Sequence, residues 1–351
     1  MQTFSMPTAL CFGTDALSRL ETLDAKRILL VTDPFFEQNG TAARLAAHCR
    51  NAETEIFSGV QPDPDTQTIA AGVKRLNEFS PEAVVALGGG SAIDCAKAML
   101  AMSDCAARLI AVPTSSGTGS EVTSFAVVTH EGVKYPLVEP RLRPELAILD
   151  DGLLASLPPA LVADAGMDAV SHALEALAAT GASAFSDAFA LTALQTLLHE
   201  LPRSFAGELS ARAEVHRAAT MAGAAFDNAG LGLCHALSHA IGGRFHVPHG
   251  RLNAVLLPHV IQFNLQSVPE IYRRAAVFCG LSGTQALRFC LKRLRARLKL
   301  PETLRACGIA PEALREASDG IISAALADPC AAANPRNATE TELLALLEAA
   351  L

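Results

Sequence analysis

Ala83-Val84-Val85-Ala86-Leu87-Gly88-Gly89-Gly90-Ser91 is the stretch that decides the fold. A short uninterrupted apolar run closed by glycines reads as a strand buried on both faces, and a helical pattern over 91–102 starts with no linker between. Strand, tight turn, helix is the repeating unit of a parallel α/β sheet. The same alternation surrounds it: a strand over 28–33 before a helix over 40–49, a helix over 66–77, and a strand over 109–113. Residues 123–129 and 147–150 read as further strands. Beyond Leu157-Pro158-Pro159 the pattern is almost wholly helical and rich in Ala and Leu, with a polar break near Leu265 to Pro269. The expected architecture is an α/β domain with a parallel sheet over 1–158, followed by an all-α domain over 159–351.

Composition narrows the partners. With 351 residues, half of them apolar and 18% charged, the chain can bury a large core and by length should form two domains. The net charge of −8, read as free of charge runs and Lys/Arg clusters, predicts no footprint for nucleic acid or an anionic membrane. Nine scattered cysteines without a Cys-x-x-Cys pair, and polar residues after Met1, fit a reducing, cytoplasmic setting. No apolar stretch is long enough for a membrane span. Zero Trp and two Tyr offer no aromatic platform for sugars or bases.

The glycine loop Gly88-Gly89-Gly90-Ser91 lets backbone approach a phosphate, and the following helix presents free N–H groups and the positive end of its dipole. Ser91 and Asp94 also read as a capping box. Pro113-Thr114-Ser115-Ser116-Gly117-Thr118-Gly119-Ser120-Glu121 is a second loop of this kind after a strand, with a capping pattern from Thr118 to Glu121. Taken alone the glycine loop reads equally as a tight turn; two such loops at the ends of neighbouring strands make the expected reading a dinucleotide crevice, contributed by Gly88, Gly89, Gly90, Ser91, Asp94, Thr114 and Ser115. Asp33 closes the first long strand, where a carboxylate accepts from an adenosine ribose and repels a 2′-phosphate, favouring NAD(H) over NADP(H); the competing reading is an Asx-turn before Pro34.

In the helical half, Asp168 and His172 stand four apart and share a helix face. His235 lies in a helical stretch and His249 in the Val247-Pro248-His249-Gly250 turn after it. One carboxylate and three imidazoles suit one divalent ion, Fe(II), Zn(II) or Mn(II). The small apolar neighbours predict burial, and buried polar groups need a partner. His239, one turn after His235, is a candidate proton relay or, on the blander reading, a core histidine bonded to a carbonyl. Cys234 points away from His235 and reads as a packed thiol. His48, His130, His199, His216 and His259 have no partner at ligand spacing.

Taken together, the 88–94 loop, the 113–123 loop, Gly166 to Glu175, Gly232 to Gly250 and Asn334-Pro335-Arg336 resemble the iron-containing, or group III metal-dependent, alcohol dehydrogenases over nearly the whole chain. Lys134-Tyr135-Pro136-Leu137 and Gly230-Leu231-Gly232-Leu233 look most like the propanol and ethanol dehydrogenases of propanediol- and ethanolamine-utilising microcompartments. The resemblance implies an N-terminal dinucleotide-binding domain and a C-terminal helical domain holding one metal through Asp168, His172, His235 and His249, with Fe2+ first and Zn2+ second. It also implies that Lys134 and Asp63 lie near the cofactor. The expected function is NAD(H)-linked interconversion of short-chain aldehydes and primary alcohols. A homodimer or larger homo-oligomer is expected, in the cytoplasm or inside a microcompartment with its proteins as partners. The competing readings are a glycerol-type polyol dehydrogenase, a dehydroquinate-synthase-like cyclase and a scaffold protein with a structural metal. Only Arg244 and Arg251 stand near the metal segments, which favours a small uncharged substrate over a phosphorylated one.

Overall fold

The computed structural model describes residues 3–130 and 133–351, without the side chains of residues 133 and 134. Two compact units result, one of Met6–Leu157 and one of Met1–Ser5 with Pro158–Leu351. The first runs β1 (Ala9–Gly13), β2 (Arg27–Thr32), α1 (Pro34–Gln38), α2 (Thr41–Ala46), β3 (Glu53–Phe57), α3 (Thr66–Phe79), β4 (Ala83–Gly88), α4 (Gly90–Ala101), β5 (Arg108–Pro113), β6 (Phe125–His130), β7 (Val133–Val138) and β8 (Leu146–Asp150). The second runs α5 (Pro159–Ala178), α6 (Ala184–Phe205), α7 (Leu209–Ala229), α8 (Leu233–Phe245), α9 (His249–Asn264), α10 (Pro269–Phe278), α11 (Thr284–Arg297), α12 (Pro311–Ala327), α13 (Pro329–Ala333) and α14 (Glu340–Ala350).

Among the described residues, six strands form one parallel sheet in the order β1-β8-β5-β4-β2-β3. Every residue of β4 is buried, as a central strand with helices on both faces requires. One side of the sheet packs Leu29, Val31, Val84 and Ala86 against Ile69 and Leu76 of α3 and Ile93 and Met99 of α4. The other packs Ile28, Leu30, Val85 and Leu87 with Leu20 and Leu45. The carboxyl ends of β2, β4 and β5 therefore sit side by side, carrying Asp33, Gly88 and the 114–119 loop.

Several expectations are corrected. Residues 123–129 do not join the parallel sheet: β6 pairs antiparallel with β7 in a separate hairpin, and its alternating burial differs from the continuous burial of β4. β1, β3 and β7 are not expected from the sequence; the first two are edge strands, β3 opens on Glu53-Thr54-Glu55 before its two apolar residues, and Pro136 disguises β7. The capping box at Ser91 and Asp94 does not form, because α4 starts one residue earlier with Gly89 as its N-cap and no side-chain cap. Nor does Thr118 cap a helix with Glu121; Gly119 precedes a short 3-10 turn, Ser120–Val122. The chain also carries a Lys/Arg cluster after all: Arg288, Lys292, Arg293, Arg295 and Arg297 lie on α11 without an acidic residue between them. The net charge of −8 concealed it. Among the described residues, no helix is long and apolar enough to cross a membrane.

Candidate metal centre and nucleotide loop

α5 is the backbone of the candidate metal-ligand cluster. From Gly166 to Ala178 each of its residues is buried, so Asp168, His172 and Glu175 face protein rather than water. α9 reaches it because Gly250 carries no side chain: a Cβ there would stand 1.9 Å from the Asp164 carbonyl oxygen. α8 is tied to it through Glu175, whose carboxylate accepts from the backbone N–H of Cys234 at 2.7 Å and from the His235 ring through Nδ1. The far side of the α8 start is held by Asn334, whose Oδ1 accepts from Leu233 N at 3.2 Å. A carboxylate at a helix N-terminus also meets the positive end of the helix dipole.

With Nδ1 of His235 committed to Glu175, its Nε2 faces Asp168, 3.5 Å from Oδ1. Nε2 of His249 lies at the same distance of 3.5 Å and Nε2 of His172 at 3.8 Å. Asp168, His235 and His249 each offer an atom within 4.8 Å of the others; His172 stands beside this trio, its ring stacked on His235 at 4.6 Å and on Phe226 at 4.4 Å. Ligands held at about 2.1 Å by a tetrahedral ion are separated by about 3.4 Å, so these spacings fit one ion. The centre is marked by the Asn253 amide nitrogen, 2.7 Å from Asp168 Oδ1, 3.2 Å from His235 Nε2 and 3.1 Å from His249 Nε2. Ser238 donates to the Asn253 Oδ1 at 2.5 Å, fixing which way that amide points. A buried carboxylate, three imidazoles and a hydrogen-bonded outer layer form the donor set a divalent metal takes.

The field agrees. Burial opposes the charge of Asp168, yet His172, His249 and the His235 hydrogen bond outweigh it and hold the carboxyl well below the usual range. Burial likewise opposes a charged His235, and Glu175 and Asp168 overcome it, raising the imidazole to about 9. The negative potential that keeps a proton on His235 is the potential a cation would answer. Cys234 is a buried thiol pushed well above its ordinary pKa by burial, packed against Asn253 at 3.5 Å and no competitor as a thiolate ligand.

His239 stacks on His249 with ring centres 5.0 Å apart, and its Nδ1 is 2.8 Å from Asp328 Oδ2. That places it next to the cluster with one ring nitrogen occupied. His246 is exposed at the end of α8, while Arg251 is paired with Asp164 at 2.9 Å. Glu175, Asn253 and Asp328 were not singled out from sequence. Glu175, seven residues after Asp168 and so two turns along the same face, was the legible one.

In the sheet unit, Gly88 has φ +151°, and a Cβ there would meet Ala92 Cβ at 2.6 Å and Asp33 Oδ2 at 3.7 Å, so the turn admits glycine and sets the Asp33 carboxylate beside it. Asp33 also caps α1, accepting from Phe36 N at 3.2 Å; the turn reading of this residue is structurally present and leaves its other oxygen beside Gly88. Thr114 N donates to Gly88 O at 3.0 Å, and Ser115 Oγ lies 3.0 Å from where a side chain on Gly89 would begin. Asp63, exposed and with φ 53°, donates its N–H to Ser91 Oγ at 3.4 Å. These residues gather at the start of α4. Asp94 turns elsewhere: its carboxylate accepts from Ser120 Oγ and, at 3.0 Å, from Val127 N, tying the second loop and β6 to α4. The fully buried Lys97 does the same with its ammonium, donating to Thr123 O at 2.8 Å and Phe125 O at 2.7 Å. The Lys134 side chain lies outside the described residues.

Comparison with known proteins follows this geometry. The sequence pattern described as iron-containing alcohol dehydrogenase matches residues 7–151, and that of the Fe-containing alcohol dehydrogenase family, C-terminal, matches residues 162–351. The chain is 39% identical to the 1-propanol dehydrogenase PduQ of Citrobacter freundii, covering 99% of each. It is 34% identical to the NADPH-dependent butanol dehydrogenase of Clostridium saccharobutylicum, covering 99% of this chain and 97% of that one. Its fold superposes on the iron-containing alcohol dehydrogenase of Thermococcus thioreducens with TM-score 0.94 at 33% identity, over 99% of both chains.

Two outcomes are expected of the cluster. Glu175→Gln, which removes the carboxylate orienting His235, should lower divalent-metal affinity by about 10–100-fold in chelator competition without unfolding the protein; unchanged affinity would deny Glu175 that role. Because His235 holds its proton up to about 9, metal must displace it, so apparent affinity should rise with pH from 6 and level off near 9. A flat profile over that window would mean the metal does not take His235.

Proposed function

The chain belongs to the iron-containing alcohol dehydrogenase family, and from that premise we propose that it interconverts short-chain aldehydes and primary alcohols, of the propanal/propanol or acetaldehyde/ethanol type, using NAD(H) and one divalent metal, Fe2+ before Zn2+. The observation that carries the reading is the convergence of Asp168, His235 and His249, with His172 alongside, on one point inside the helical unit. When bound, the ion supplies Lewis acidity toward the alcohol or aldehyde oxygen and the nicotinamide carries the hydride.

The protein's own residues orient and protect. Glu175 keeps Nδ1 of His235 occupied so that Nε2 remains the inward donor. Phe226, packed on the His172 ring, and the buried apolar face of α5 keep water from that side of the cluster, which suits a small uncharged substrate. Asp328 accepts at His239 Nδ1 and so leaves Nε2 of that ring to hold or pass the proton that the substrate hydroxyl gives up or takes back. In the sheet unit, Gly88, Gly89, Gly90, Ser91, Thr114 and Ser115 would cradle the cofactor phosphates at the start of α4, with Asp33 reading the adenosine ribose, Asp63 near the nicotinamide ribose and Lys134 near the cofactor. Asp94 supports this loop through Ser120 and Val127.

A homo-oligomer, in the cytoplasm or within a microcompartment, belongs to the same proposal and rests on the likeness of Lys134-Tyr135-Pro136-Leu137 and Gly230-Leu231-Gly232-Leu233 to dehydrogenases of such compartments.

Asp168→Ala should abolish NADH-dependent reduction of propanal and remove most bound metal while NADH binding, followed by fluorescence, is kept. Full turnover in this variant would sink the site. Asp33→Gly should narrow the preference for NADH over NADPH by tenfold or more in kcat/KM, and an unchanged preference would assign ribose reading to another group.

A further inference from the structure

A cavity of 280 Å³ in the helical unit, lined in part by cationic side chains, shares no side chain with the metal-ligand cluster. Arg288, Lys292 and Arg295 of α11 line it together with His259 of α9. One acid, Glu302, reaches its rim; that side chain is 74% exposed and lies 3.7 Å from Arg295 Nη2, a pairing that solvent weakens. The Arg295 side chain is only 8% exposed, and its Nε has no hydrogen-bond partner; the buried Nε of Arg288 has none either. Burial, and then the charges of Arg295, Lys292 and Arg288, hold His259 below its ordinary pKa, so all three cations are felt at one ring.

Cations do not gather in a half-closed cavity without cost. Arg295 loses water, the three cations repel one another, and an unpaired buried guanidinium N–H forfeits a hydrogen bond. In a chain of net charge −8 the concentration is not explained by general basicity. An anion with several acceptor oxygens removes all three costs, and guanidinium forks beside an ammonium match a tetrahedral oxyanion in shape and charge. Thr303, whose hydroxyl oxygen accepts from Ala306 N at 3.1 Å, also lines the wall. We propose that this cavity binds a phosphate group, either inorganic phosphate or the phosphate of a small monoester. Its volume suits a ligand of that size rather than a dinucleotide. The occupant would also brace α9, which supplies Pro258 and His259 to the cavity and begins with His249, about 15 Å away along the helix.

The test is calorimetric titration of metal-loaded, NAD+-saturated enzyme with inorganic phosphate at constant ionic strength, NAD+ keeping phosphate from the glycine loop. One binding event is expected, weakened at least tenfold in Lys292→Gln and in Arg288→Gln and lost in Arg295→Gln, with metal content and aldehyde reduction in phosphate-free buffer unchanged in the first two. Lys292 is exposed, so its variant reports even if Arg295→Gln fails to fold. Glycerol 3-phosphate run in parallel separates the sources: tighter binding than phosphate assigns a monoester, equal binding assigns the free ion. Absence of phosphate binding to the NAD+-saturated wild-type enzyme, or equal affinity in wild type, Lys292→Gln and Arg288→Gln, overturns the site.

Discussion

Two carboxylates, Asp168 and Glu175, are buried two turns apart on one face of α5, and neither is paired with a lysine or arginine among the described contacts. A buried carboxylate must be answered, and the helical unit is arranged around how these two are. Glu175 is met by the start of α8, two backbone N–H groups and the His235 ring together. Asp168 is met by three imidazoles and the Asn253 amide. His235 belongs to both sets, so the inner carboxylate orients the ring and the outer one shares its free nitrogen. Remove Glu175 and the ring can turn; remove Asp168 and the imidazoles lose the carboxylate that their Nε2 atoms face.

The sheet unit solves a different problem with different means. At the glycine turn it gathers backbone. Gly88 takes a conformation and a closeness that a side chain would forbid, Thr114 N–H closes onto its carbonyl, and α4 begins there with no side-chain cap. The polar side chains nearby, Asp94 and the buried Lys97, are spent on holding the second loop and the β6 edge in place. The result, among the described residues, is a helix start that no side chain caps, which is the setting a phosphate needs.

How much of this was legible follows from which forces are local. β4, β5 and α4 were legible because continuous burial and a glycine turn leave marks within one short window. β1 and β3 were not, since edge strands take their place from the partner they pair with, and β7 carries a proline that argues against a strand. In the site, Asp168 and His172 could be read from spacing on one helix, and His235 with His249 from a helix and its ending turn. Glu175 was within reach of the same spacing argument. Asn253 and Asp328 were not, because their meaning comes from packing α9 and α13 against α8 rather than from any local pattern. The basic face of α11 was present in the sequence and hidden by the whole-chain charge.

The account stands on Asp168, His172, His235 and His249 sharing one ion, and the most direct measurement is an anomalous difference map at the iron edge from crystals of enzyme loaded anaerobically with Fe2+. A single peak about 2 Å from an Asp168 oxygen and from Nε2 of the three histidines is the predicted result. A peak elsewhere, at His239, Asp328 and Cys330 for instance, or no peak in protein that still reduces aldehydes, would contradict it.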